Sequence, residues 1–302
     1  MARPGRLLAV SFRVPFRGSV AVASGELSRG VLRGPRFRRL FPDVYVAADV
    51  PLDHATWCRA AVLYAGHDAV VSGLSALLLY GIDQRPLRDS TIEVSAQRRS
   101  VASTDPPIAL VRTSVHDADA LVRAGVRLTS PTRTAYDLAC RLPRVSAISA
   151  IDAMTHLHFA TIDEIRRYAL GRPAGPGCTQ VAAVLAQVEP DTESPMESRT
   201  RMLLVDGGLP RPEAQVEVYD DLGEFVARLD LGYRHLKVGL EYEGDRHRSK
   251  DVFRRDIARG NALRDAGWLI VRVTADDVYR APVRFVRRVA RLLAERRREL
   301  RL

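Results

Sequence analysis

The side chains best suited to chemistry lie between residues 224 and 247. Two β-prone runs, 224–231 and 237–243, are separated by a short connection. Strand side chains alternate between faces. In the first run Phe225, Ala227, Leu229 and Leu231 share one face, and Val226, Arg228 and Asp230 the other. In the second, Val238, Leu240 and Tyr242 lie opposite Lys237, Gly239, Glu241 and Glu243. A hairpin that matches the apolar faces brings Asp230, Glu241 and Glu243 together, with Gly239 leaving room beside them. Three clustered carboxylates repel one another unless a cation neutralises them. Hard oxygen ligands favour Mg²⁺ or Mn²⁺ over zinc. Such an ion can polarise a phosphodiester and lower the pKa of an attacking water. His247, just past the strand, is placed to serve as acid, base or ligand. The bland alternative for an E-x-E strand is an amphipathic hairpin with a wet acidic face. The order of the surrounding elements, the aligned Asp230 and the nearby His247 favour the site.

The elements that must position these residues are legible. Residues 191–195 are linker-like, and Ser194-Pro195-Met196-Glu197 opens a helix that Gly207-Gly208 closes. Strands are expected at 215–219, 224–231 and 237–243, with a turn at 220–223. A helix over 249–266 ends at Gly267, a strand covers 268–274, and an arginine-rich helix begins after Pro282. The order is α-β-β-β-α-β-α. Residues 83–190 read as α+β, with strands near 91–94, 109–113 and 126–129. Ser130-Pro131 starts a helix, and Thr161-x-x-Glu164 is a capping box. In residues 1–82, helical patterns at 19–23 and 27–33 precede two β-prone runs around the Phe41-Pro42-Asp43 turn. Two short helices followed by a basic hairpin is the layout of a winged helix-turn-helix. Helices near 53–64 and 72–80 follow. Three domains are expected: 1–82, 83–190 and 191–302.

Composition narrows the classes. The chain has 302 residues, 46% of them hydrophobic and 27% charged, which excludes wholesale disorder. No run of about 18 apolar residues is present, so no transmembrane helix is expected, and no signal peptide is read. Three widely spaced cysteines, Cys58, Cys140 and Cys178, argue against a disulfide framework or a structural zinc site and fit a cytoplasmic protein. The loop 171–177 lacks the Lys-Ser/Thr of a phosphate-binding loop. Ser72 and Ser75 lack the Gly-x-Ser-x-Gly context of a hydrolase, and His54 has no identifiable partner. The net charge is +10, with +8 in residues 1–40 and +7 in 280–302, leaving −5 for the middle. Two basic ends suit phosphate contacts. Of 46 basic residues only Lys237 and Lys250 are lysines, a bias that genome base composition alone also produces.

Asp230, Glu241-x-Glu243-Gly244, His247, Asp256 and the run Gly267-Trp268-Leu269-Ile270-Val271-Arg272-Val273-Thr274 resemble a nuclease-like family related to very-short-patch-repair endonucleases. That family has the PD-(D/E)xK, restriction-endonuclease-like fold. The resemblance covers about residues 193–295. It implies metal binding by Asp230 and Glu241, supporting roles for Glu243 and His247, and a further acidic contribution from Glu197. Glu197 has a competing reading as the third helical residue of a capping box begun by Ser194. Glu243 stands where a standard E-x-K motif has lysine, and Lys237, on the face of Glu241, is a candidate replacement.

The N-terminal two-thirds resembles the AbiE-type antitoxin and regulator arrangement. The resemblance rests on Phe41-Pro42-Asp43-Val44-Tyr45-Val46, on Val71-Ser72-Gly73-Leu74-Ser75-Ala76, and on the stretch from Val126 through Ser130-Pro131-Thr132-Arg133-Thr134-Ala135-Tyr136-Asp137 to Ala139. In a winged helix Ser28, Arg29 and Arg33 would sit on the recognition helix, and Arg36, Arg38 and Arg39 at the wing. The combination resembles proteins common in high-GC actinobacteria. The expected fold class is multi-domain α+β: an N-terminal winged helix, a middle α+β domain and a C-terminal restriction-endonuclease-like domain. The expected function is an Mg²⁺- or Mn²⁺-dependent DNA endonuclease targeted by its N-terminal domain, in phage defence or DNA repair. The alternative is a non-catalytic, antitoxin-like DNA-binding regulator with a degenerate nuclease domain. Expected partners are DNA, and a toxin protein or a second copy of the chain, without a membrane.

Overall fold

A computed structural model describes residues 12–86, 89–97, 103–172, 175, 177–244 and 250–301, without the side chains of 250–256. Among these residues no helix is long and apolar enough to cross a membrane. The architecture of the described residues is mixed α+β, with three sheets among them. The chain divides into two compact units, residues 1–138 with 167–172 and residues 139–166 with 173–302.

The first unit opens with β1 (Phe16–Arg17), α1 (Gly18–Ala23), α2 (Arg29–Leu32), β2 (Phe37–Phe41) and β3 (Val44–Ala47). The strands form an antiparallel sheet in the order β1-β3-β2. Pro42 and Asp43 make the hairpin turn. Proline presets the first turn residue, and Asp43 takes the positive φ of 60° that the second requires. The Asp43 carboxylate accepts bonds from the Ser19 backbone N–H (2.7 Å) and hydroxyl (2.5 Å), so the turn also caps α1. Gly18 permits the close approach of α1 to the hairpin, because a Cβ there would stand 2.6 Å from the Tyr45 ring. Phe12, Ala21, Leu32 and Phe37 form the small core beneath, with edge-to-face contacts among Phe12, Phe16 and Phe37.

Next come α3 (His54–Ala65), β4 (Val70–Val71), α4 (Gly73–Leu79), β5 (Ile92–Ala96), β6 (Ile108–Arg112), β7 (Ala120–Arg123), β8 (Val126–Thr129) and α5 (Pro131–Arg141). Asp53 caps α3 by accepting the Thr56 N–H at 2.7 Å. The five strands run in the order β6-β5-β4-β8-β7, with β5 parallel to β6 and β4 parallel to β8. This sheet takes β4 from before residue 83 and its other strands from after it. Val70, Val71, Ile92, Val94 and Leu128 are fully buried at its centre.

The second unit contains α6 (Arg144–His156), the first half of α7 (Ile162–Leu170), which passes to the first unit at Arg167, α8 (Val181–Leu185) and α9 (Pro195–Asp206). The Thr161–Glu164 capping box forms in both directions. Then follow β9 (Glu213–Tyr219), β10 (Phe225–Tyr233), β11 (Val238–Tyr242), α10 (Lys250–Asp265), β12 (Leu269–Val273), α11 (Ala275–Tyr279) and α12 (Pro282–Glu299). The order matches the sequence pattern, with α11 added behind a Thr274–Asp277 capping box. The sheet order is β12-β11-β10-β9, with β11 and β12 parallel and the other pairs antiparallel.

Simple alternation along β10 does not hold. Leu229 packs with Val216, Val218, Leu263 and Trp268, against α10. Leu231, two residues on, packs with Leu240, Phe285, Val289 and Leu293, against α12. The single apolar face expected for 225–231 is therefore split at Asp230. The neighbouring strand is irregular at the same level: Gln215, between the register pairs Leu229↔Val216 and Leu231↔Ala214, has a φ of +48°.

Candidate functional site

The split at Asp230 helps shape a cavity of about 1180 Å³ in the second unit, lined by Glu193, Glu197, Asp230, Glu241 and Glu243 together with Arg259, Arg264 and Arg272. Asp230 and Glu241 are the residues next beyond the register pair Leu231↔Leu240. Asp230 Oδ2 accepts the Tyr242 N–H at 2.8 Å. Burial raises the Asp230 pKa, which that bond partly offsets. Glu197 is 6% exposed. Its backbone N–H donates to Ser194 Oγ at 3.2 Å, and its Oε2 accepts the Glu193 N–H and Gln215 Nε2, both at 3.0 Å. Glu197 thus anchors the start of α9 and lines the cavity as well. Burial raises its pKa, and the charge of Asp230 adds to the effect.

Arginines hold the three remaining carboxylates. Arg259, on α10, contacts Glu241 at 2.5 Å and donates to the Arg228 carbonyl at 2.9 Å. Arg272, on β12, pairs with Glu243. Arg228 pairs with Glu193 at 2.9 Å. Among the described residues no group of three or more His, Cys, Asp or Glu side chains is arranged to hold a metal ion. The carboxylates line one cavity: Glu241 and Glu243 are paired with guanidinium groups, whereas Asp230 accepts the Tyr242 N–H and Glu197 accepts the Gln215 side-chain amide. His247 lies outside the described residues, as does the side chain of Asp256.

Two expectations about neighbouring residues are corrected. Lys237 does not enter the cavity: its Nζ donates to the Ala266 carbonyl at 2.9 Å, at the C-terminal end of α10. Gly239 does not make room for a ligand. A Cβ there would stand 2.6 Å from Leu229 Cδ1 and 2.9 Å from Ile270 Cδ1, so the glycine serves core packing. Arg259 and Arg272 escaped the sequence reading because 44 arginines offer no contrast. The signal that singles out Arg272 is its register opposite Glu241, which requires the β11–β12 pairing.

In the first unit, Ser28 is the cap of α2, accepting the Val31 N–H at 3.3 Å. Arg29, Arg33, Arg36 and Arg39 are exposed. Arg38 is exposed too, but its guanidinium donates to the Val50 carbonyl at 2.6 Å. Arg38 and Arg39, adjacent in β2 and in regular register with Val46 and Tyr45, are both exposed.

His54 does have partners. Its Nε2 lies 3.0 Å from Ser75 Oγ, and its Nδ1 lies 3.1 Å from an Arg85 guanidinium nitrogen. Guanidinium only donates, so Nδ1 accepts and Nε2 carries the proton toward Ser75. That tautomer cannot take a proton from the serine, so the pair is not a nucleophile and base. Burial lowers the His54 pKa, in keeping with a neutral ring. Ser75 Oγ also accepts the Glu93 N–H at 2.9 Å, tying α4 to β5. The stretch after Val126 is held similarly. Arg133 reaches Asp137 at 2.9 Å and Asp119 at 3.6 Å, and Thr134 bonds Thr129 side chain to side chain at 2.6 Å.

Comparison with known proteins agrees with the first unit's motifs. Residues 69–185 match the AbiEi antitoxin C-terminal domain. Over 241 residues the chain is 30% identical to uncharacterized proteins from two strains of Mycobacterium tuberculosis, covering 77% of this chain and 83% of each relative. The chain belongs to their family. In this member the antitoxin-like match runs from β4 through α8 and takes in the Ser75–Glu93 contact and the Arg133 ion pairs. The carboxylate cavity, and Arg29 to Arg39, lie outside it.

Proposed function

We propose that this protein is a DNA-binding regulator of the antitoxin type, acting as a homodimer or with a toxin partner. Its first helices and hairpin would serve as a winged helix, and its C-terminal nuclease-like portion would have no catalytic role. The observation that carries the reading is the set of exposed arginines, Arg29, Arg33, Arg36 and Arg39, on one small helix-and-hairpin element ahead of an antitoxin-like region. Guanidinium groups on an exposed helix and wing suit phosphate and base-edge contacts. The pairing of Glu241 and Glu243 with Arg259 and Arg272 supports the absence of metal chemistry. The test is binding of the full chain to a duplex carrying its own promoter. Tight binding that Arg33→Ala weakens is expected. Equal, weak binding to promoter and unrelated duplex would overturn the reading.

A second reading follows from the cavity that Glu197, Asp230, Glu241 and Glu243 share. It is a DNA endonuclease in which Mg²⁺ or Mn²⁺ displaces the arginine contacts. Plasmid and single-stranded DNA incubated with each metal, or with EDTA, separate the two. Cleavage that both EDTA and Asp230→Ala abolish would establish the nuclease. Cleavage that survives both would remove this cavity from consideration.

A further inference from the structure

The three cysteines occupy two kinds of place. Cys58, on α3, is fully buried, and burial pushes its thiol up to about 12. Cys140, in the last turn of α5, and Cys178, at the start of a 3-10 turn (Cys178–Gln180), are only part-buried, with their sulfurs 3.6 Å apart. The backbone maintains this proximity. Gly177 has a φ of +78°, and a Cβ on it would fall 1.9 Å from the Cys140 carbonyl oxygen, so only glycine allows the approach. Gln180 Nε2 donates to the Ala139 and Leu142 carbonyls at 2.7 and 2.9 Å. Those carbonyls lie where a helix end leaves acceptors unpaired. The segment bearing Cys178 is therefore docked on the end of the helix bearing Cys140. Closing the sulfur gap to a bonding distance of ~2.05 Å takes about 1.5 Å of movement, within the reach of side-chain rotation.

We propose that Cys140 and Cys178 form a reversible intramolecular disulfide when the protein meets a peroxide. One thiolate attacks a peroxide oxygen. The O–O bond breaks, the sulfur becomes a sulfenic acid, and the leaving oxygen departs as water after protonation. The second thiolate then attacks that sulfur, the S–S bond forms, and the sulfenic oxygen leaves as a second water. Two thiols are oxidised by two electrons and one peroxide is reduced. Cys58 takes no part, because a buried thiol of raised pKa supplies almost no thiolate. The pair is a redox-responsive site and not a structural framework, so it does not conflict with a chain that is reduced at rest.

The experiment treats the full chain with hydrogen peroxide, denatures it, alkylates the remaining thiols and maps peptides without reduction. Untreated protein should take three alkyl groups, one per cysteine. Oxidised protein should take one, on Cys58, with a Cys140–Cys178 linked peptide that dithiothreitol returns to the three-group state. Cys140→Ser and Cys178→Ser should each abolish the link. Three alkylatable thiols after treatment would overturn the proposal. So would sulfinic acid at either position without the linked peptide, or a link that includes Cys58. The linked peptide is read in the wild-type chain, so the outcome stands even if a serine variant folds poorly.

Discussion

Replacing Arg29, Arg33, Arg36 and Arg39 together with alanine tests whether the N-terminal surface meets phosphate. All four side chains are exposed, and among the described residues none has a carboxylate partner. Their neighbours are already engaged: Arg38 holds the Val50 carbonyl, Arg13 pairs with Asp49 at 2.5 Å, and Arg17 bonds the Leu63 carbonyl at 2.5 Å. If each free arginine neutralises one phosphate, the four contribute ~3.6 to the slope of log affinity against log salt, at ~0.9 per contact. Between roughly 50 and 200 mM salt, a slope of that size is worth about 150-fold in affinity. Fluorescence anisotropy titrations across that range, on the promoter duplex and on an unrelated one, measure it. The quadruple variant should lose the slope on both duplexes, and each single variant about a quarter of it. Circular dichroism checks that the variants remain folded. A folded quadruple variant with the wild-type slope would refute the reasoning, because it would place the phosphate contacts elsewhere, with the exposed arginines of α12 the first alternative.

Three further outcomes are expected. Asp152→Ala should destabilise the chain by about 3–5 kcal/mol in urea titration, because it strands the buried Arg201 guanidinium that Asp152 contacts at 2.7 Å; a loss below ~1 kcal/mol would contradict an ion pair of that weight. Asp230→Asn and Glu197→Gln should each raise the melting temperature near neutral pH. Burial raises both carboxyl pKa values in the folded chain, so the folded state bears no ionisation cost below the unfolded value of about 4 and loses stability as pH rises through the folded value. The gain should therefore vanish in acid, and a gain independent of pH would point to packing instead. Gly239→Ala should cost roughly 1–3 kcal/mol by forcing a Cβ against Leu229 and Ile270, and an unchanged melting temperature would show that those side chains yield freely.

Local rules carried much of the reading. The Phe41-Pro42-Asp43 turn, the Thr161–Glu164 cap and the Ser194 start of α9 all depend on residues within a few positions of one another, and each is present. The helix and strand order of residues 191–302 was legible for the same reason. Longer-range features were not. The two-residue strand β4 is too short to show a period, and it exists because β5 and β8 flank it. Leu229 and Leu231, two residues apart on one strand, join different core clusters, which the period-two pattern does not show.

By itself, the sequence determined which side chains are available and where the periodic elements begin and end. It put Asp230 and Glu241 on adjacent strands, arginines at both ends of the chain, and three cysteines at wide spacing. Tertiary structure alone decided what each of them meets. Glu241 meets Arg259 and Glu243 meets Arg272, Lys237 turns to the end of α10, and Cys140 meets Cys178. The physical reason is range. Caps, turns and alternation act over one to four residues and leave a pattern in the chain, whereas ion pairs and sulfur contacts form between elements that only the packed core brings together.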